Sequence, residues 1–454
     1  MTLFSNKIYT KSNFTNFLLL LVPLTFIIGN VAINLNIFLF ILSTLIFYKK
    51  DIFKIDYHFL DKIIFIFFFY ILINGIYNNY ITWADQTRVE PYNLKTLEKT
   101  ILFQRFLLLY LIVRFIVEKK IVNFRAFFIS CSIFSVFVSL DIFYQFIFNE
   151  DIFGYPGNVR KFSGPFGEEL IAGGYLQRFS IFTFLLFPFF FLKSKNKLSM
   201  CLTSILFLIA LSSIIISGNR MPLILFIIMI SLIFILNRNV RKYSILFFLI
   251  TSIICLIFYN FNSNIKMNLD NGYGKIRTTF MILASDKYEN KISDKTSPTM
   301  DFFKEFESFH GAWLLNKYVG GGIKSFRYNC HKGFKNTILR KNLDPLITKE
   351  LLPEFKCNTH PHNYYLEVLT DLGLIGFIIL SFIFLYILNI VFIKRPNLRE
   401  DHIIMPFIFL FFIEIFPIKT SGSFFTTGNA TFIFLIMAFT VALSNYKNKL
   451  RNNK

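Results

Sequence analysis

His360-Pro361-His362-Asn363 is the stretch whose residue types could do chemistry, standing between the longest polar segment of the chain and an apolar run that starts at Tyr364. An imidazole has a near-neutral intrinsic pKa, so His362 can take a proton from an alcohol during group transfer. Asn363 can orient that base or cap the helix that follows. His360 is the competing base, and Pro361 fixes the backbone between the two so that their rings point differently. The plain alternative is a polar cluster that caps a helix at a membrane surface.

Several arginines could serve such a base. Arg220 closes Ser217-Gly218-Asn219-Arg220 and stands just before Met221-Pro222. It is either an interfacial residue that orients a hairpin or a fork for phosphate oxygens, with Pro222 in a first helical turn leaving nearby amides free. Arg160 lies in a glycine-bearing loop with Glu168 and Glu169, before Ala172-Gly173-Gly174, and could line a polar cavity. Arg178 and Arg105 fall inside apolar runs, where a charge faces a cavity or a partner; Glu168 and Asp141 are candidate partners for an ion pair that holds the bundle together. Arg277 and Arg327 belong to a long polar segment. Either is a solvated surface group or an anion contact, and Arg327 follows the turn Gly320-Gly321-Gly322, whose amides can also meet anions.

The elements that must position these groups are apolar. The 454 residues are 54% hydrophobic and include 63 Phe, beyond what soluble domains carry. Twelve apolar runs lie near 14–30, 31–48, 59–78, 100–117, 126–148, 170–192, 198–216, 221–236, 243–260, 364–393, 403–418 and 429–446. Nothing alternates like a barrel strand, so the expected fold is all-α, a polytopic integral membrane protein of about twelve spans. The net charge of +21 falls largely in short loops, which is the pattern of orientation signals rather than of a nucleic-acid surface. Lys49, Lys50, Lys119, Lys120, Arg238, Arg241, Lys394, Arg395 and the basic C-terminus share one side. Both termini are therefore expected in the cytoplasm, with one large extracytoplasmic loop. The organisation reads as 1–260, about nine spans; 261–361, the large loop; and 362–454, about three spans.

Cys131, Cys201 and Cys255 sit in apolar runs as small hydrophobes. Cys330 and Cys357 both fall in the large loop and are expected to form a disulfide in an oxidising compartment, closing a loop for about 3 kcal/mol. His331, His360 and His362 near them lack the tight spacing of a zinc site. No Walker A sequence and no GxGxxG occurs, and the large loop has no DxD, so no cofactor, nucleotide or metal is expected.

The chain resembles the O-antigen ligase family of the bacterial cell envelope, which includes O-antigen polymerases and some protein O-oligosaccharyltransferases. The resemblance is carried by His362-Asn363, nine residues, then Gly373 and Gly376 entering a span directly after the large loop. Ser217-Gly218-Asn219-Arg220, Gly320-Gly321-Gly322 through Phe326-Arg327 and Cys330, and Ser421-Gly422-Ser423-Phe424-Phe425 add to it. It implies a GT-C-like bundle in the bacterial inner membrane with its active site facing the periplasm. It further implies metal-independent, inverting transfer of a glycan from undecaprenyl pyrophosphate to a lipid A-core sugar hydroxyl. Carried over, His362 activates the acceptor and Arg220 holds the pyrophosphate. Arg277 is the best match for the essential loop arginine, although Arg327 is close in sequence and no motif fixes the choice. Arg160, Arg327, Asn363 and His360 would line the substrate site. An O-antigen polymerase would use the same donor with a lipid-linked glycan as acceptor. A transporter of lipid-linked sugars would share the spans and the arginines without needing a base.

Overall fold

The computed structural model describes residues 11–84, 92–158, 161–185, 197–238, 241, 244–267, 269–271, 273–274, 300–332, 357–419 and 422–452. Among these the chain is helical, with isolated β-bridges Glu150–Pro156 and Asn158–Lys161 in one loop. The helices are α1 Lys11–Leu20, α2 Val22–Ile28, α3 Asn30–Tyr48, α4 Phe59–Ala84, α5 Tyr92–Phe103, α6 Arg105–Glu118, α7 Phe124–Phe148, α8 Ala172–Leu185, α9 Lys197–Ile216, α10 Arg220–Leu236 and α11 Ser244–Phe261. After them come α12 Met300–Leu315, α13 Tyr364–Leu388, α14 Met405–Glu414 and α15 Thr427–Asn452. Each apolar run of the sequence carries a helix.

Six of the helical stretches are long and apolar enough to cross a bilayer, and counting two bent pairs as spans raises that to eight. One bent pair is α1 with α2, turned by 41° where Pro23 enters the first turn of α2. Three further apolar helices are shorter: Cys201–Ile216, Arg220–Leu236 and Met405–Glu414. The last falls short of the expected 403–418 because the chain leaves the helix after Glu414 and turns back, placing the Lys419 ammonium 2.6 Å from the Glu414 carboxylate. The chain is thus an all-helical, multi-pass membrane protein by the length and composition of its helices.

α15 packs most extensively against α6, and α7 against α8. The core is crowded with phenylalanine: Phe127, Phe128, Phe182, Phe407 and Phe439 form one set of touching rings. At the basic end, α4 and α6 are clamped by charge. Arg114 and Asp61 are fully buried and bonded to each other. The Tyr110 hydroxyl donates to Asp61 at 2.5 Å, and Arg114 also donates to Glu118 at 2.7 Å. Every one of these charges has a counter-charge, as burial requires.

The element that positions the chemistry is α13. Its helical course is interrupted at Gly373, with φ 66° and ψ −170°, and the turn 317–322 enters the break. Gly321 N and Gly322 N donate to Thr370 O and Asp371 O at 3.0 and 2.8 Å. Leu374 N and Ile375 N donate to Lys317 O and Tyr318 O at 2.9 and 3.1 Å. α4 closes the joint: Tyr70 Oη donates to Leu372 O at 2.7 Å, and Asn74 Nδ2 to Val319 O at 2.5 Å. The described part of 261–361 is therefore built into the bundle through its glycine turn.

Only glycine fits this joint. A Cβ on Gly373 would lie 2.3 Å from Tyr318 O, and one on Gly320 would lie 2.4 Å from Gly373 N. Gly29 also has positive φ, 114°, but its missing Cβ would meet nothing within 4 Å. Left-handed backbone costs an L-residue about 1–2 kcal/mol, and overpacking adds about 1–3 kcal/mol. Gly373→Ala and Gly320→Ala should therefore lower the thermal unfolding midpoint in detergent well beyond Gly29→Ala. Equal midpoints for the three variants would show that the joint is not rigid.

Candidate functional site

Asn363 is the N-cap of α13. Its Oδ1 accepts from the amides of Tyr365 and Leu366 at 2.9 and 3.2 Å, and its Nδ2 donates to Pro417 O and Lys419 O at 2.8 and 3.2 Å. Both functions of the amide are engaged in holding the helix start to the turn after α14, so Asn363 acts as a cap and a staple.

His362 takes a positive φ of 49°, which turns its ring back over its neighbour. The rings of His360 and His362 lie 4.4 Å apart between centroids, tilted by 57°. This corrects the expectation that Pro361 makes them point differently: the left-handed residue reverses the chain direction that proline fixes. His360 Nδ1 is 3.0 Å from Thr359 Oγ1. Burial first, then the charges of His362, Lys324 and Arg327, push the His360 imidazole down to about 4, so it is neutral at physiological pH.

Arg327 reaches this place from a helical turn over 326–332. Cys330 of that turn is joined by a disulfide to Cys357, just upstream of the histidines, and an apolar knot of Phe309, Ala312 and Phe326 packs around it. The Arg327 Nε is buried with no hydrogen-bond partner among the described residues. An unpartnered donor beside a pair of imidazoles is what an incoming anion would meet.

Under the pair lies a polar network. Asp371 accepts from Lys324 N at 2.7 Å, Ser325 Oγ at 3.0 Å and Phe326 N at 3.2 Å. Glu367, one helical turn earlier, accepts from Ser423 Oγ and Phe424 N, both at 2.6 Å, and Lys324 Nζ reaches Ser423 Oγ at 2.5 Å. A second centre forms at Glu414, which receives Arg178 Nη2 at 2.6 Å, Lys419 Nζ at 2.6 Å and Tyr364 Oη at 2.7 Å. Asn429 links the two centres, accepting from Arg178 at 2.7 Å and donating to Ser423 O at 2.9 Å. Burial pushes the Lys419 ammonium down to about 8 while Glu414 pulls it back up, so it stays charged at neutral pH. Arg178 thus does hold the bundle by an ion pair, with Glu414 and not with Glu168 or Asp141.

The structure brings together His360, His362, Arg327 and Lys324. Arg220 opens α10 behind its N-cap Asn219. That turn packs so closely on the start of α8 that a Cβ on Gly173 would lie 2.6 Å from Ser217 Oγ, which explains that glycine. Arg160, Arg277 and Ser421 lie outside the described residues. Glu367, Asp371 and Glu414 had no assigned role in the sequence reading, although carboxylates inside apolar runs were the available signal. Among the described residues no three His, Cys, Asp or Glu side chains gather into a set that could hold a metal ion. Compared with known proteins, the chain matches no protein-family model and no curated sequence.

Two outcomes follow. A free imidazole titrates near 6.5 and His360 near 4, so between these values the unfolded state binds the proton first. The contribution of His360 is complete above about pH 6.5 and is lost as the pH falls toward 4. The unfolding midpoint of the wild type should drop more between pH 7 and 5 than that of His360→Gln; parallel profiles would mean that His360 is solvated. Glu414→Gln leaves Arg178 and Lys419 without their counter-charge, and breaking a buried pair costs about 3–5 kcal/mol. Its unfolding midpoint should fall by several degrees, whereas an unchanged midpoint would make the network dispensable.

Proposed function

We propose that the chain is a membrane glycosyltransferase of the O-antigen ligase type. It would move a glycan from undecaprenyl pyrophosphate to a sugar hydroxyl of lipid A-core, without metal or nucleotide. In this reading it is a twelve-span protein of the bacterial inner membrane. The histidine end faces the periplasm under the large loop, and both termini are cytoplasmic. The observation that carries it is the imidazole pair packed beside Lys324 and the unpartnered Arg327 Nε.

His362 takes the proton of the acceptor hydroxyl as that oxygen attacks the anomeric carbon. The bond from that carbon to the pyrophosphate oxygen breaks on the opposite face, which inverts the configuration, and the lipid pyrophosphate leaves with the bonding electron pair. Arg327 and Lys324 stabilise the charge developing on it. Arg327 is taken as the loop arginine because its charge acts on His360, while Arg277 lies outside the described residues. Arg220 keeps the pyrophosphate-binding role that the resemblance implies, and Asn363 supports the site through the helix cap.

The test is transfer by the purified chain in detergent, supplied with an undecaprenyl-pyrophosphate glycan and lipid A-core and no added metal or nucleotide. Wild type should attach glycan to lipid A-core. His362→Ala should lose about 10²–10⁴-fold in rate, the range for a missing general base, and Arg327→Ala should be strongly impaired. Longer lipid-linked glycan with no attachment to core would instead make the chain a polymerase. Full activity of a folded His362→Ala would remove the base assignment.

A further inference from the structure

A cavity of about 320 Å³ opens at the end of α13 opposite the histidines. Three segments wall it: His58, Phe59 and Leu60 at the start of α4; Tyr386, Ile387, Ile390, Val391 and Arg395 at the end of α13 and just beyond it; and Val441, Ser444 and Asn445 on α15. Here the backbone departs from α geometry a second time, running as a π-helix over Asn389–Lys394. Such turns are rare and occur often at functional sites.

The polar wall of the cavity has one sign. Arg395 lines it, with Nη1 donating to Ser444 O at 3.0 Å, which leaves the rest of the fork for other acceptors. His58 lines it too, and its Nε2 has no hydrogen-bond partner among the described residues. Lys394 stands over the Tyr386 ring at 5.8 Å. No carboxylate is among the lining residues. Of the two acids flanking His58 in sequence, Asp61 is engaged by His58 N, Tyr110 and Arg114, and Asp56 is exposed and outside the lining. The start of α4 adds the positive end of a helix dipole.

The other wall is apolar and continues out of the cavity. Phe59 packs against Phe382 and Tyr386, with ring centroids 6.3 and 5.5 Å apart. From there Leu385, Phe382, Ile378 and Ile375 form an exposed stripe along α13, at helical spacing. A cationic pocket that opens onto an apolar stripe fits a phosphate joined to acyl chains.

We propose that this cavity binds the headgroup of an anionic phospholipid from the leaflet at the basic end of the bundle, with its acyl chains along the outer face of α13. Arg395 is the phosphate contact and His58 a second polar contact. The many lysines and arginines around this end raise the local concentration of anionic lipid, and the cavity makes one molecule specific.

Native mass spectrometry of the purified full chain in detergent tests this with added dioleoyl phosphatidylglycerol or dioleoyl phosphatidylcholine. The phosphatidylglycerol adduct should be at least fivefold the more abundant. Arg395→Gln should remove that preference while Lys54→Gln, an exposed basic residue at the same end, keeps it. Because Arg395 also bonds Ser444, Ile390→Trp serves as a second variant that fills the cavity without changing charge. Loss of the preference in that folded variant supports the site, and its retention overturns it. Equal adducts of the two lipids would overturn the anionic assignment, and an equal loss in Lys54→Gln would reduce the binding to general charge attraction. Displacement of the lipid by glycerol 3-phosphate alone would make the ligand a soluble anion and overturn the lipid assignment.

Discussion

A broken helix inside an apolar bundle leaves backbone amides and carbonyls that lipid cannot satisfy, and the rest of the site depends on how α13 answers this at Gly373. It does so by exchanging hydrogen bonds in both directions with the turn at 317–322. The exchange works only at backbone contact distance, so both chains present glycine where they touch. Tyr70, Asn74 and Asn78 of α4 use up carbonyls of the same turn. The turn is thereby locked to two helices at once, and the short helix that carries Arg327 follows directly from it. With the disulfide from Cys330 to Cys357, the histidines and Arg327 are held to one another by covalent and backbone bonds, not by side-chain packing alone.

Charge is distributed unequally across this joint. Below the histidines, Glu367, Asp371 and Glu414 are buried and are met by Lys324, Arg178 and Lys419 or by hydroxyls and amides. Buried charges so matched neutralise one another and resist separation. At the level of the histidines that match ends: His360 is kept neutral by burial and by the cations around it, and the Arg327 Nε has no partner. The site thus balances its lower charges and leaves positive capacity beside the histidines.

Much of this was legible in the sequence. Hydropathy located the helices because an apolar run of about twenty residues has few alternatives in lipid, and Asn363 before an apolar run is a local capping signal. The glycines of 320–322, 373 and 376 were visible as a motif, but not that the first group enters the break made by the second. That pairing is a contact across some fifty residues of chain with no periodic signature. Arg178 likewise announced that it needed a partner, while the choice of Glu414 over Glu168 or Asp141 depends on how α8 and α14 pack. The histidine rings were misjudged for a local reason. Pro361 restricts its own φ, but His362 has a backbone conformation uncommon for a residue with a side chain, and no rule of composition predicts it.

α13 and the turn that continues it leave regular geometry twice, at the glycine break and at the π-helix over Asn389–Lys394. Between them the exposed side chains of Ile375, Ile378, Phe382 and Leu385 form an uninterrupted apolar stripe. Irregular backbone at membrane depth survives where protein or a cavity receives its polar groups. The first irregularity is received by the 317–322 turn, and the second borders the cavity at Arg395. An ordinary helix would have been sufficient to cross the membrane, so neither departure is explained by spanning. Each stands beside a basic side chain and an unpartnered nitrogen: Arg327 Nε at the first, and Arg395 with His58 Nε2 at the second.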